Sequence, residues 1–317
     1  MKKKGVWAAL VAVMVGSISL TCMATGMQQE EEKNLSVEVS GSTEENTTID
    51  LSAFCNDVSK SQEFYEFMKG LDESVQKTLV IPEGQTLVLN HYFTIPSNTT
   101  LQGGAIEFTA DAQYADVYNE AFIINRHSET YWDDKKDENI RKQNVDIRYD
   151  CSNQGRSLLR FRYITGLVVT ECDIRVINQQ KSTTSHNAAI DLFKGCTDVE
   201  LSNNQIYLDN PNGSAGGAIW IRSMVAGTND SAQLKTSNVR VTGNVMTSNS
   251  CDELLAVGSS GYDTSDVVVS NNTFIRLDGS KKNLMLGVCP AIGGSISNVI
   301  IKNNTFQMNN TTAIMNK

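Results

Sequence analysis

Apolar and polar positions alternate in short runs from about residue 80 onward. Four segments align without gaps: DVELSNNQI from Asp198, NVRVTGNVM from Asn238, DVVVSNNTF from Asp266 and NVIIKNNTF from Asn298. In each, apolar residues alternate, an Asn follows, and one more apolar residue closes the segment. Weaker copies begin at Asn98 and Gly166, with an irregular one near Asn144. A second apolar run precedes each copy: SLLRF at Ser157, AIDLF at Ala189, AIWIR at Ala218, ELLAV at Glu253 and NLMLG at Asn283. Alternation of period two sends one set of side chains to each face of a strand. A strand triplet of this size cannot bury its inner face alone, but stacked copies can. The predicted unit is therefore strand, turn, strand, Asn turn, third strand, loop. The four clear copies start 28 to 40 residues apart, so loops of variable length must bulge from an all-β coil.

Asn204, Asn244, Asn272 and Asn304 fall at one turn position of this repeat. Asn tolerates the left-handed backbone of a sharp bend, and stacked amides can hydrogen-bond along the coil axis. Asn271 and Asn303 also fit the Asn-x-Thr glycosylation pattern, but their phase within the repeat points to architecture. Ahead of the coil, Phe64, Phe67, Met68 and Leu71 recur at helical spacing and predict an amphipathic helix over about 59–76, placed as a cap on the first turn. Residues 27–50 are acidic and Ser/Thr-rich, the composition of a tether. Residues 1–26 combine Lys2, Lys3 and Lys4 with an apolar stretch ending in small residues, which predicts a signal peptide. Cys22 raises lipidation, though Ser19-Leu20-Thr21 departs from the usual pattern before a lipidated cysteine. The β-helix domain is expected over 51–317.

Composition and charge narrow the partners. The net charge is −9, which excludes a general nucleic-acid surface and leaves polysaccharide open. Export permits disulfides, yet no cysteine spacing resembles a metal site or a disulfide framework. The cysteines read as small buried fillers, with Cys151 and Cys172 the one pair close enough in consecutive repeats to test. No phosphate-binding Gly loop, HExxH or Gly-x-Ser-x-Gly is present.

The cap helix, the IPEG strand, the IPSNTTLQGG opening and the NVxIxNNxF repeats resemble the pectate-lyase-like superfamily, over roughly residues 55–317. The resemblance implies a single-stranded right-handed parallel β-helix (solenoid). It also implies that the strand before the main turn lines a sugar-binding groove. Aligning the five copies puts Leu159, Ile190, Ile219, Leu255 and Leu284 inward. Arg160, Asp191, Trp220, Ala256 and Met285 then face outward. Arg162, Phe193, Arg222 and Gly258 share that face two residues on. Arginine makes forked hydrogen bonds to uronate carboxylates, and an exposed indole can pack on a sugar ring.

The run Cys251-Asp252-Glu253-Leu254-Leu255-Ala256-Val257 looks like the Asp-Asp-x-Ile-Ala-Ile signature of polygalacturonase-type glycosidases. Carried over, Asp252 and Glu253 become the acidic pair, able to divide acid and base roles or to bind Ca2+. Other positions depart from that family. Asn210-Pro211-Asn212-Gly213 stands where an Asn-Thr-Asp triplet is expected, and Lys281-Lys282-Asn283 where Gly-His-Gly is expected. Lys282 lies one rung from the acids, and His186 enters the same groove about two rungs earlier; both are candidate substrate contacts. His91 and His127 fall outside this register and take no role. The expectation is an exported lyase or glycoside hydrolase acting on an acidic, pectin-like glycan. The alternative is a non-catalytic glycan-binding surface protein.

Overall fold

The chain folds into three faces of parallel strands wound as one right-handed β-helix. The computed structural model describes residues 46–115, 121–128, 135–150, 157–177, 187–209, 216–223, 235–249, 253–259, 261–277, 284–290 and 294–308. The groove face stacks Phe93–Ile95, Ala121–Asn125, Ser157–Thr165, the start of Asn187–Ser202, Gly216–Ile221, Glu253–Ser259 and Leu284–Pro290. The second face runs from Thr47–Asp50 and Lys77–Val80 up to Ile296–Lys302, and the third from Thr86–His91 to Thr305–Met308. Asn187–Ser202 runs unbroken through the corner and belongs to both the groove and second faces.

Each face buries one residue row. On the third, Ile106, Ile147, Ile174, Ile206, Met246 and Phe274 stand in register. All six are buried, and each contributes about 1.5–3 kcal/mol relative to exposure. On the second face Leu101, Val169, Leu201, Val241 and Val269 form the matching row, but Lys142 interrupts it between Leu101 and Val169. Its ammonium nitrogen lies 5.6 Å from the Phe93 ring centre. Burial pushes the Lys142 amine down to about 7.

The corners divide work that the sequence pattern assigned to single Asn residues. The left-handed residue is the one before each ladder Asn: Asn203, Gly243, Asn271 and Asn303. The ladder residue itself turns inward. Asn204 Nδ2 donates to Asn244 Oδ1 at 2.9 Å, Asn244 to Asn272 at 3.0 Å, and Asn272 to Asn304 at 3.0 Å. Each of these oxygens also accepts the backbone N–H of the preceding ladder residue. Cys172 holds the position one rung earlier, and its N–H donates to Asn204 Oδ1. The other corner has its own left-handed series, including Asn98, Asn139, Asp198, Asn238, Asp266 and Asn298. There the side chains pair outside the coil, as in Asn238 to Asp198 at 2.6 Å.

The cap helix spans Ser61–Gly70, shorter than the pattern predicts. It stops because the Asp72 carboxylate accepts from Ser74 N and Oγ, a local turn that competes with another helical turn. Phe64 and Met68 are buried, and Phe64 packs edge-on to Phe93 at 5.2 Å. Arg126 closes the helix end by donating to Met68 O and Leu71 O. The coil itself starts earlier than expected: Thr47–Asp50, inside the stretch read as tether, pairs with Lys77–Val80. The signal segment lies outside the described residues. Cys172 and Cys196 are buried free thiols, while Cys151 lies outside the described residues. Among the described residues no helix is long and apolar enough to cross a membrane.

Candidate functional site

The groove strands do not alternate strictly. Leu158 with Leu159, Ala189 with Ile190, Ala218 with Ile219, and Leu254 with Leu255 all lie in the core as consecutive pairs. After this kink one outward row follows in register: Arg160, Asp191, Trp220, Ala256 and Gly287. The last position corrects the sequence alignment. Leu286, not Leu284, pairs with Leu255, so Gly287 rather than Met285 continues the row. A second correction follows from a bulge between Phe161 and Arg162, which pairs Arg162 with Lys194 and leaves Phe193 as the extra residue.

Asp191 is the centre of the row. Its carboxylate accepts from Arg160 Nε at 2.8 Å, Arg222 Nε at 2.8 Å and Arg222 NH2 at 2.6 Å. It is fully buried; Arg160 is 5% exposed and the Arg222 side chain 13%. Burial alone pushes the carboxyl up, but Arg222 and Arg160 outweigh it and hold Asp191 below the usual carboxylate range. The bulged Phe193 lies close to both guanidinium groups, its ring centre 5.2 Å from that of Arg160 and 5.1 Å from that of Arg222. Arg222 also stacks on Trp220 at 4.8 Å. The result is a compact box of two arginines, two aromatic rings and one acid.

Trp220 is not the exposed indole expected: it is 5% exposed. Its ring lies over Gly217, where an added Cβ would come within 2.2 Å of Trp220 Nε1. The same Cβ would be 2.6 Å from the carbonyl oxygen of Glu253, which pairs with Gly217. Glu253 is half-buried, and its backbone pairs with Gly217, the residue under the indole. Beyond Trp220 the row shrinks to the small residues Ala256 and Gly287.

The structure thus brings Arg160, Asp191, Trp220 and Arg222 together, and Glu253 pairs by its backbone with Gly217 under the indole. Arg162 leaves the group: it is buried across the bulge, donates to Ser128 O at 3.3 Å and lies 5.8 Å from the Tyr163 ring. Asp252, Lys282 and His186 lie outside the described residues. Phe193 was read as one more outward residue. Its place against two guanidinium groups depends on the bulge, which the spacing of AIDLF does not announce.

No family model matches this chain, and no curated protein matches it in sequence. Its fold is similar to that of the tailspike protein of E. coli bacteriophage HK620, solved in complex with a pentasaccharide. That match has a TM-score of 0.50 at 14% identity over 82% of this chain. A variant of the same tailspike, also with a pentasaccharide, gives a TM-score of 0.51 at 14% identity. The chain spans 57% of the tailspike's length in both cases. At this identity the likeness establishes a shared parallel β-helix architecture.

Proposed function

We propose that this is an exported protein whose groove face binds an acidic polysaccharide. One observation carries the reading: the Arg160–Asp191–Arg222 network with Phe193 and Trp220 is the place where the outward row abandons repetition for guanidinium, carboxylate and aromatic groups together. The network is rigid, because Asp191 engages both arginines and the rings of Phe193 and Trp220 lie close to their guanidinium groups. That preorganisation suits binding, since little side-chain freedom remains to be lost. The tailspike neighbours carry oligosaccharides, which supports a glycan as the partner of this solenoid.

A second reading adds cleavage by a lyase or hydrolase mechanism on a pectin-like polymer. It is favoured by Glu253, an acid on the strand that pairs with Gly216–Ile221 and next in sequence to Asp252. Asp191 does not suit the acid role, because its two arginines keep it ionised. Glycan-array binding followed by turnover assays separates the readings. A lyase creates an unsaturated sugar that absorbs ultraviolet light, a hydrolase only raises reducing ends, and a binding protein does neither. Trp220→Ala is expected to weaken glycan binding at least about tenfold, the scale of one aromatic contact. Unchanged binding by a folded variant overturns the assignment of this face.

A further inference from the structure

A separate cluster joins the cap helix to the coil. Glu73 lies in the segment after the helix, His127 in the short 3-10 turn after the groove strand Ala121–Asn125, and Asp137 at the start of the short strand Asp137–Glu138, which pairs with the end of Ser157–Thr165. One ligand atom from each of the three lies within 4.8 Å of both others. His127 Nε2 is 2.9 Å from Glu73 Oε2 and 4.0 Å from Asp137 Oδ1. Asp137 is fully buried, and the other two are half-buried.

The remaining oxygens are held from behind. Asp137 Oδ2 accepts from Asn125 Nδ2 at 2.7 Å and from His127 N at 2.8 Å. Ser97 Oγ donates to Oδ1 at 3.1 Å. Glu73 Oε1 takes the Lys135 ammonium, which leaves Oε2 turned to the imidazole. Asn125, in turn, is fixed by both backbone groups of Arg162. Glu73 thus turns one oxygen to His127 Nε2 while Lys135 holds the other, and Asp137 Oδ1, which also accepts from Ser97 Oγ, stands 4.0 Å from the same nitrogen. That is the outer-shell arrangement that positions metal ligands.

We propose that Glu73, His127 and Asp137 bind one divalent transition-metal ion, with Zn2+ the best fit. Bonds of about 2.0–2.2 Å to a tetrahedral ion set ligand atoms about 3.3 Å apart, which small side-chain movements reach from the distances seen here. One imidazole with two carboxylates suits Zn2+ better than Ca2+ or Mg2+, which favour all-oxygen shells. Water takes the fourth position. The ion replaces any proton on His127 Nε2 and staples the cap-helix connection to two coil strands. Two cations compete with it. Lys135 is 58% exposed, so its pairing with Glu73 is weak. Arg126 stands 3.8 Å from Glu73 Oε2 with its guanidinium committed to two carbonyls of the helix end.

The test is titration of the chelator-stripped full chain with Zn2+ by calorimetry, and with Co2+ by visible absorption. One equivalent is expected to bind, with a tetrahedral Co2+ spectrum and a raised Tm. His127→Gln is expected to lower affinity at least about 100-fold, and Glu73→Gln at least about tenfold. Lys135→Met should tighten binding a few-fold by removing a competitor. No binding at millimolar Zn2+, or binding that both His127→Gln and Glu73→Gln leave unchanged, overturns the proposal. Glu73→Gln keeps the test decisive if His127→Gln fails to fold, since Glu73 is not fully buried.

Discussion

The Asn corner and the groove face are built on opposite rules. At the corner one residue type recurs on consecutive rungs, and each amide is satisfied by the identical amide of its neighbour. On the groove face the residue changes at every rung, from Arg160 to Asp191 to Trp220, and unlike groups satisfy one another. Repetition lets a solenoid stack indefinitely. A local departure from it spends stability on something stacking does not require, and in a coil of this kind that departure marks where to look for function.

The contrast can be broken most forcefully at Asp191. Asp191→Ala leaves Arg160 and Arg222 buried without their acid, and a loss of about 3–5 kcal/mol is expected in denaturant unfolding. The combined replacement of Asp191→Leu, Arg160→Met and Arg222→Met should restore most of that stability and still abolish glycan binding. Retained binding in the triple variant would make the network scaffold, like the corner. A smaller effect is expected at the ladder. Asn244→Ala interrupts bonds on both sides and should cost about 2–3 kcal/mol, whereas Asn304→Ala touches one neighbouring rung and should cost about 1 kcal/mol. Equal costs would mean that the ladder is a set of independent turns.

The gentlest test concerns Lys142, where the regular inward row is broken inside the coil. Among the described residues its amine has no hydrogen-bond partner. Lys142→Met should stabilise the protein by about 1–3 kcal/mol at neutral pH. The folded amine loses its proton near 7 and the unfolded one near 10.4. Between those values the unfolded state binds more protons, so wild-type stability should rise with pH across that window. Lys77, pushed down to about 8 chiefly by burial, adds to the same slope from a higher starting pH. Denaturation series at several pH values should show a shallower slope for Lys142→Met.

Much of the coil was legible because repeats carry their own register. Aligning DVELSNNQI with its later copies places Asn204, Asn244, Asn272 and Asn304 on one line, and the structure stacks them there. The groove face was legible only in part. Arg160, Asp191 and Trp220 were aligned as they pair, but the bulge after Phe161 removed Arg162 from the group, and the last rung lay two residues from the reading. Bulges and kinks reset a strand by one residue without a mark in the alternation of apolar positions. Glu73, His127 and Asp137 were not legible at all, since they are up to 64 residues apart and belong to no repeat.

What the sequence alone determined is the architecture: a parallel coil, an inward Asn line and a cap helix. Such features arise from local periodicity copied many times, and each copy reinforces the others. Only the tertiary structure decided that Trp220 is buried over Gly217, that Phe193 lies close to two guanidinium groups, and that His127 faces two carboxylates. Those relations depend on where single residues from different rungs and loops meet. Distances of a few ångströms between such residues are set by the winding of the whole coil, which no local pattern encodes.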